Sequence, residues 1–536
     1  MKEQIYYNGE ILTMENNNYV EAIFVRDGII ENVGTKEEIL EKKGNDTEVI
    51  DLEGKTLIPA FIDPHSHITA FASTLVSVDL SGAASFDEII EKIKAFKEGR
   101  KLVDGQWISG FGYDNNYLIE KKHPDKSVLD KISLDIPIII AHASGHMGVV
   151  NSAALKKLEI NSDSVNPEGG VIGRYENSNE PNGYLEENAF THTAGKIPQP
   201  SLKDVLGFIE EAQERYLSFG ITTVQDGMAG NNEIRLLTAM AESNRLKVDV
   251  VGYVDLKNAK SAAESNKKYI NKYFNRFKIG GYKIFLDGSP QGKTAWLTEP
   301  YESSDDGYKG YPIYKDEETK KLIGVALKEK MQLLTHCNGD AAADQLINGF
   351  KENIKENNYT DTYRPVMIHA QTVRYDQLDE MKKINMIVSF FVAHTYHWGD
   401  IHIKNLGRER AFKISPVKTA KEKGVVYTLH QDTPVILPNM LETIWCAVNR
   451  ITKEGVVIGE QEKVSPLDAL KGVTINAAYQ YFEEDKKGSI KEGKLADLVI
   501  LDKNPLKVDP MTIKDIKVVE TIKEGKTLYR AKEQEW

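Results

Sequence analysis

Six side chains in this sequence have the types and spacing to gather metal ions. His65 and His67 stand in the run Asp63-Pro64-His65-Ser66-His67. Alternate residues of an extended chain share a face, so both imidazoles are able to converge on one ion. Lys283 lies in GYKIFLDG, His336 in THCNGD, His369 in RPVMIHAQ and Asp432 in LHQDTPV. Imidazole nitrogens and carboxylate oxygens suit a divalent cation, and a carboxylate beside it is placed to take a proton from water. Each residue alone has a plainer explanation: a satisfied core histidine, a lysine paired with a carboxylate, an aspartate capping a helix. Six such residues at strand ends are hard to explain that way.

Strands must deliver those residues to one place. The sequence predicts eight short apolar strands at Phe61–Asp63, Ile221–Gln225, Val248–Val254, Tyr282–Leu286, Gln332–Thr335, Val366–Ile368, Met386–Phe391 and Val425–Leu429. They are rich in β-branched residues, as buried parallel strands are. Helical patterns separate most of them. In Ser201–Phe219, Val205, Ile209, Ala212 and Tyr216 fall on one face. Eight such units predict an α/β protein with a (β/α)8 TIM barrel over 59–485, with the six residues converging where barrel active sites form. An open doubly wound sheet is the alternative.

Residues 1–58 carry short β-rich runs, with turns expected at Asn8-Gly9 and Asp27-Gly28, and residues 486–536 read similarly. Together they are expected to form one β-sandwich domain. The stretch between the first two barrel strands is too long for a structureless loop. It holds a helix with a capping box (Ser85 with Glu88), strand-like runs at Trp107–Phe111 and Ile136–Ala141, and turn signals in PEGG at 167–170 and PNG at 181–183. It is read as an inserted α+β subdomain over 71–215, beside the catalytic mouth and suited to close as a lid over a small, partly apolar molecule.

The 536 residues carry a formal net charge of −12, which leaves no basic excess for a nucleic-acid backbone or an anionic membrane surface. Two cysteines, Cys337 and Cys446, exclude a disulfide-stapled scaffold. The N-terminal run has no apolar stretch of signal-peptide length, and no run is long enough to span a membrane. A cytoplasmic location is expected, with a small molecule as partner and a homodimer as the ordinary symmetric assembly.

Several longer motifs occur in order: PAFIDPHSH at 59–67, SGHMGVVNSAAL at 144–155, PEGGVIGR at 167–174, GITTVQD at 220–226, YKIFLDGS at 282–289, THCNGDAA at 335–342, RPVMIHAQ at 364–371, QDTPV at 431–435 and GSIKEGKLADLVILD at 488–502. With them the chain resembles the amidohydrolase superfamily over essentially its whole length, most closely the branch of N-substituted formamide deformylase-like metal-dependent hydrolases. The resemblance implies a barrel with a β-sandwich built from both chain ends. It implies that His65 and His67 hold the more buried metal, that Lys283 carries a carbamate bridging two metals, and that His336 and His369 hold the second. Asp432 would bind metal and handle the proton of the nucleophile. Two divalent ions are implied, zinc first, with manganese, iron or nickel as alternatives; such a pair shares a hydroxide and polarises a scissile carbonyl. Burial near metal charge would depress the lysine's pKa and free the amine for carboxylation.

The implied reaction is hydrolysis of a non-peptide C–N bond in an amide, formamide, cyclic amide or carbamate. A mononuclear aminohydrolase and a metal-dependent esterase or lactonase stand as alternatives, and a catalytically inactive regulatory barrel comes last. The sequence departs from the family pattern at Ala60, Ala342, Ile368, His430 and Gln431, none of them a proposed ligand. His146, His394 and His430 are expected to face the substrate. Asp287 and Ser289 shape the pocket or turn the chain, and His397 and His402 are expected at the surface. Trp445 and Arg450 are expected to pack and to form a salt bridge. Cys337 should face away from its neighbour His336.

Overall fold

A computed structural model describes residues 2–16, 18–99, 106–197, 201–304 and 306–532. The chain divides into two compact units, Met1–Phe71 with Ile209–Trp536, and Ala72–Phe208. In the first unit eight strands lie at Phe61–Ile62, Ile221–Ala229, Asp249–Asp255, Phe277–Phe285, Gln332–Cys337, Val366–His369, Ile387–Phe390 and Tyr427–Leu429. They form one sheet in sequential order, and every neighbouring pair is parallel. A doubly wound sheet would reverse its order at a switch point, and this one does not. Helices return the chain between strands, among them Asn231–Glu242, Asp316–Lys328, Asp340–Asn357 and Tyr375–Lys383. The fold is α/β and TIM-barrel-like.

No ladder joins the first and eighth strands among the described residues. Two backbone bonds bridge that seam: Ile62 N–H donates to the Val473 carbonyl at 2.9 Å, and His67 N–H to the Thr433 carbonyl at 2.8 Å. The second of these ties the loop of His65 and His67 to the loop of Asp432.

The fourth strand starts earlier than its apolar core suggests, because Lys278, Gly280 and Gly281 interrupt the hydrophobic run. Lys278 is buried against Glu483 at 2.5 Å. A side chain at Gly281 would collide with the Gln332 carbonyl of the next strand, so close strand approach requires glycine there.

Strands from both chain ends make a second eight-stranded sheet in the order Lys526–Arg530, Val518–Lys523, Leu498–Leu501, Thr56–Pro59, Glu3–Leu12, Tyr19–Arg26 and Ile29–Gly34, with Glu48–Asp51 paired to Glu3–Leu12. It is one continuous hydrogen-bonded sheet built from both chain ends. Asn8-Gly9 does not turn the chain. Asn8, at φ 59°, lies in a bulge inside the strand Glu3–Leu12. Asp27-Gly28 does turn it, with φ positive at both residues, as a tight hairpin requires. A short helix, Lys36–Leu40, interrupts this otherwise β region behind a Thr35/Glu38 capping box.

The second unit, taken by itself, holds a six-stranded mixed sheet ordered Gly170–Arg174, Pro181–Glu187, Met147–Val150, Ile138–His142, Ile108–Tyr113 and Val78–Asp79. The Pro181-Asn182-Gly183 segment opens a strand instead of forming a turn; proline is tolerated at a first strand position. Ser85 caps the helix Phe86–Glu98, but the Glu88 side chain accepts from the Ala84 N–H rather than closing the box on Ser85. The helix expected at Ser201–Phe219 runs Leu202–Ser218, with Ile209, Ala212 and Tyr216 buried. No helix among the described residues is long and apolar enough to cross a membrane.

Candidate metal centre

All six candidate ligands meet at the carboxyl end of the barrel. His65 Nε2 and His67 Nε2 lie 3.4 and 3.3 Å from Asp432 Oδ1. Lys283 Nζ lies 3.3 Å from His65 Nε2. His369 Nε2 stands 3.1 Å from His336 Nδ1 and 3.9 Å from Asp432 Oδ2. His65, His67 and Asp432 each place a ligating atom within 4.8 Å of the others'.

Hydrogen bonds behind these atoms decide which nitrogens carry lone pairs. The amide nitrogen of Gln225 donates to the Pro64 carbonyl and to Tyr481 Oη, so its oxygen must face His65. His65 Nδ1–H therefore donates to Gln225 Oε1 at 2.6 Å, and the lone pair of Nε2 is turned inward. It meets Asp432 Oδ1, a buried oxygen with no well-formed hydrogen bond among the described residues, though His67 Nε2 lies 3.3 Å away. A lone pair and a carboxylate oxygen 3.4 Å apart repel unless a cation lies between them, so the donor set fits a divalent ion. His336 Nε2 lies 3.2 Å from both the Gly288 carbonyl and Asn338 Nδ2; with its proton on Nε2 it donates to the carbonyl and leaves Nδ1 free. His369 Nδ1 meets His430 Nε2 at 3.1 Å, and His430 Nδ1 meets Ser389 Oγ at 2.8 Å. A hydroxyl donates or accepts, so this chain adapts to a proton between His369 and His336, or to a cation with the protons turned outward.

Electrostatics keep the donors available. Burial, with the charges of Lys283 and His67, holds His65 well below the usual imidazole range. Burial and Lys283 push His336 down to about 4. Burial, His336 and His430 hold His369 low as well. Burial pushes Lys283, which is fully buried, down to about 7 against the pull of Asp432. For Asp432, burial acts upward, but the close approach and charge of His67, with His430 and Lys283, outweigh it, and the carboxyl lies below its ordinary value. At neutral pH the site thus offers neutral imidazoles at His65, His336 and His369, a carboxylate, and an amine that is partly unprotonated.

Residues 48–529 match the sequence profile of the Amidohydrolase family. The chain belongs to the amidohydrolase family. It is a metal-dependent amidohydrolase, and the donor set at the barrel mouth accords with that membership. It is 28% identical to YtcJ of Bacillus subtilis (strain 168), which bears an amidohydrolase name, over 98% of this chain and 99% of that one. It is 27% identical to an N-substituted formamide deformylase of Arthrobacter pascens, over 99% of this chain and 98% of that one. Among solved structures, an uncharacterized metal-dependent hydrolase from Pyrococcus furiosus superposes with a TM-score of 0.71 at 26% identity, covering 94% of this chain and 100% of that chain.

The remaining candidates of this amidohydrolase fall out differently. His430, expected against substrate, is fully buried with both ring nitrogens engaged, so it orients His369 instead. His394 is buried, with Nδ1 bonded to His402. His402 was expected at the surface and is 1% exposed. His397 is half-buried and bonded to Glu442. His146 belongs to the second unit, where its exposed ring pairs with Glu187 at 3.1 Å. Asp287 accepts the backbone N–H groups of Trp296, Asn338 and Gly339, fixing the loops around His336, and burial still pushes it up to about 7. Arg450 makes no salt bridge among the described residues; its guanidinium donates to the carbonyls of Ile414, Ser415 and Ile458. Cys337 is fully buried beside a partly buried His336, as strand alternation requires. Gln225, which fixes the His65 tautomer, and Ser389, which bonds His430, were not singled out from the sequence, although Gln225 lies in GITTVQD; their polar side chains inside apolar strands were the available signal.

Proposed function

We propose that this enzyme hydrolyses a non-peptide C–N bond of a small molecule, with an amide or formamide carbonyl as the point of attack. The observation that carries the reading is the inward lone pair of His65 facing the buried Oδ1 of Asp432, with Lys283 alongside. His65, His67 and Asp432 would hold one divalent ion, and His336 and His369 a second. Bound there, the ions would polarise the carbonyl and acidify water. Lys283, buried and pushed down to about 7, would offer a free amine to CO2: a C–N bond would form, a proton would leave to solvent, and the resulting carbamate would supply oxygen ligands to the metal site. Asp432 takes the proton of the attacking water and delivers it to the departing nitrogen. Asp287 keeps the His336 loop in register meanwhile.

Protein purified without chelator is expected to hold about two metal ions per chain and to turn over at least one of formanilide, acetanilide, a hydantoin or a phenyl carbamate. Less than about half an ion, unrecovered on adding Zn2+ or Mn2+ with bicarbonate, would overturn the metal reading. One ion per chain, with ammonia released from a heterocycle, would move the assignment to a mononuclear aminohydrolase.

A further inference from the structure

His394 and His402 stack after the seventh barrel strand. Their ring centroids are 5.2 Å apart and their planes differ by 7°. Nδ1 of His394 lies 3.0 Å from Nε2 of His402. Both rings are buried, and the chemistry above makes no use of His402. Burial holds His394 well below the usual imidazole range and pushes His402 down to about 4, so both rings are neutral at neutral pH. Each neutral ring carries one proton, and one N–H fills the shared bond.

The outer nitrogens set its direction. Nδ1 of His402 is sealed from water and has no partner among the described residues. A sealed N–H without an acceptor is the rarer orphan; a bare lone pair is better tolerated. The proton of His402 therefore sits on Nε2 and is donated to Nδ1 of His394, which leaves the proton of His394 on its own Nε2. That nitrogen makes no hydrogen bond within the described residues and is not among the sealed atoms. Phe391 and Trp398 each lie 4.6 Å from the His394 ring and hold it. Phe391 also lies 6.1 Å from His369, so His394 stands one aromatic ring from the ligand set.

We propose that His402 is a positioning residue that locks His394 as an Nε2–H donor, and that this donor binds the carbonyl oxygen of the substrate. The opposite tautomer would make His394 Nε2 a base or a ligand. A donor there selects substrates that present an acceptor, and it strengthens as negative charge builds on the carbonyl oxygen. The substrate half of this proposal rests on the hydrolytic reading; the tautomer half does not.

Two measurements test it on the full chain. In deuterated protein with 15N-labelled histidine, long-range 1H–15N spectra without substrate should show Nε2–H tautomers for both rings, assigned by their loss in His394→Gln and His402→Gln. A proton on Nδ1 of His394 would overturn the proposal. In assays with formanilide, or whichever amide of the panel the wild type turns over, His402→Leu should lose about 10²-fold in kcat/KM at unchanged metal content. His402→Gln, whose amide N–H falls near the Nε2 position, should stay within about threefold of wild type. Equal losses in the two variants at full metal content would reduce His402 to packing. If the wild type turns over no amide at all, the hydrolytic reading and the substrate half fall together, while the spectra still decide the tautomer half.

Discussion

Asp249 and Asp432 are aspartates at opposite ends of one barrel, and the protein treats them in opposite ways. Asp249 opens the third strand. It receives Lys487 at 2.5 Å, Lys523 at 2.8 Å and Arg276 at 3.2 Å. Lys523 also reaches Asp497, and Glu483 takes both Lys487 and Lys278. Arg276 also reaches Glu524 at 2.9 Å, so four cations meet four carboxylates. Asp432 follows the eighth strand, where Oδ1 has no well-formed hydrogen bond among the described residues and the His65 lone pair is turned towards it. Buried ions that are fully matched hold chain ends to a core, whereas buried donors left unmatched mark a place built for something that arrives later. Charge burial alone would not have separated the two ends; the partner count does.

The comparison breaks most visibly if the same substitution is made at both ends. Asp432→Asn keeps the shape but cannot take a proton from water, so turnover should fall by about 10²–10⁴-fold while the unfolding midpoint holds or rises. Activity within about tenfold of wild type would remove Asp432 from the proton transfer. Asp249→Asn should do the reverse. It leaves Lys487 and Lys523 short of a counter-charge, at a cost of about 3–5 kcal/mol in urea unfolding, with kcat per folded molecule unchanged. A midpoint shift as small as that of a surface substitution would mean that Glu483 and Asp497 suffice.

The legible and illegible parts of the sequence divide along similar lines. All eight barrel strands could be read, because each is a short β-branched run bounded by turn residues. The ligands could be read because each sits in a compact motif at a strand end. Gln225, which sets the tautomer of His65, could not: the two meet only through strand pairing between distant segments. The buried Lys278 disguised the start of the fourth strand because its partner, Glu483, lies far along the chain. Asn8-Gly9 reads as a hairpin turn, yet the strand continues through it, since Glu48–Asp51 and Thr56–Pro59 both pair along the same ten residues. His402 reads as a surface residue because its partner, His394, lies on the preceding helix and the two rings are buried together. Local pattern encodes elements and motifs, and partners set by distant register are invisible to it.

Acid sharpens the contrast. For Asp249, burial acts upward, but Lys487, Lys523 and Arg276 outweigh it and hold the carboxyl below its ordinary value. For Glu483, Lys487 and Lys278 outweigh burial in the same way. A carboxyl depressed in the folded state stabilises the fold above its unfolded pKa, near 4, and loses that contribution as pH falls through the folded value. The urea midpoint of wild type should therefore drop as pH falls below about 4, each unit of depression contributing about 1.4 kcal/mol. Asp249→Asn should show a shallower acid slope. Parallel slopes would place the acid sensitivity elsewhere.

The smallest expected effects compare two glycines. A Cβ at Gly227 would lie 2.6 Å from Cε1 of His65 and 2.8 Å from Oε1 of Gln225. The His65 ring has no room to retreat, since it is buried and held to Gln225 at 2.6 Å. Gly227→Ala should therefore cost about 1–3 kcal/mol of stability and tilt the ligand, weakening metal affinity by about 10–100-fold. Gly207 lies inside the helix Leu202–Ser218, and an added Cβ there meets nothing within 4 Å. Gly207→Ala should raise stability by about 0.5–1 kcal/mol, because alanine loses less backbone freedom in a helix, and should leave metal content untouched. The two single-methyl changes have opposite signs in stability, and only one of them moves the metal. If Gly227→Ala binds metal like wild type, the close fit of His65 against the second barrel strand is not what fixes that ligand.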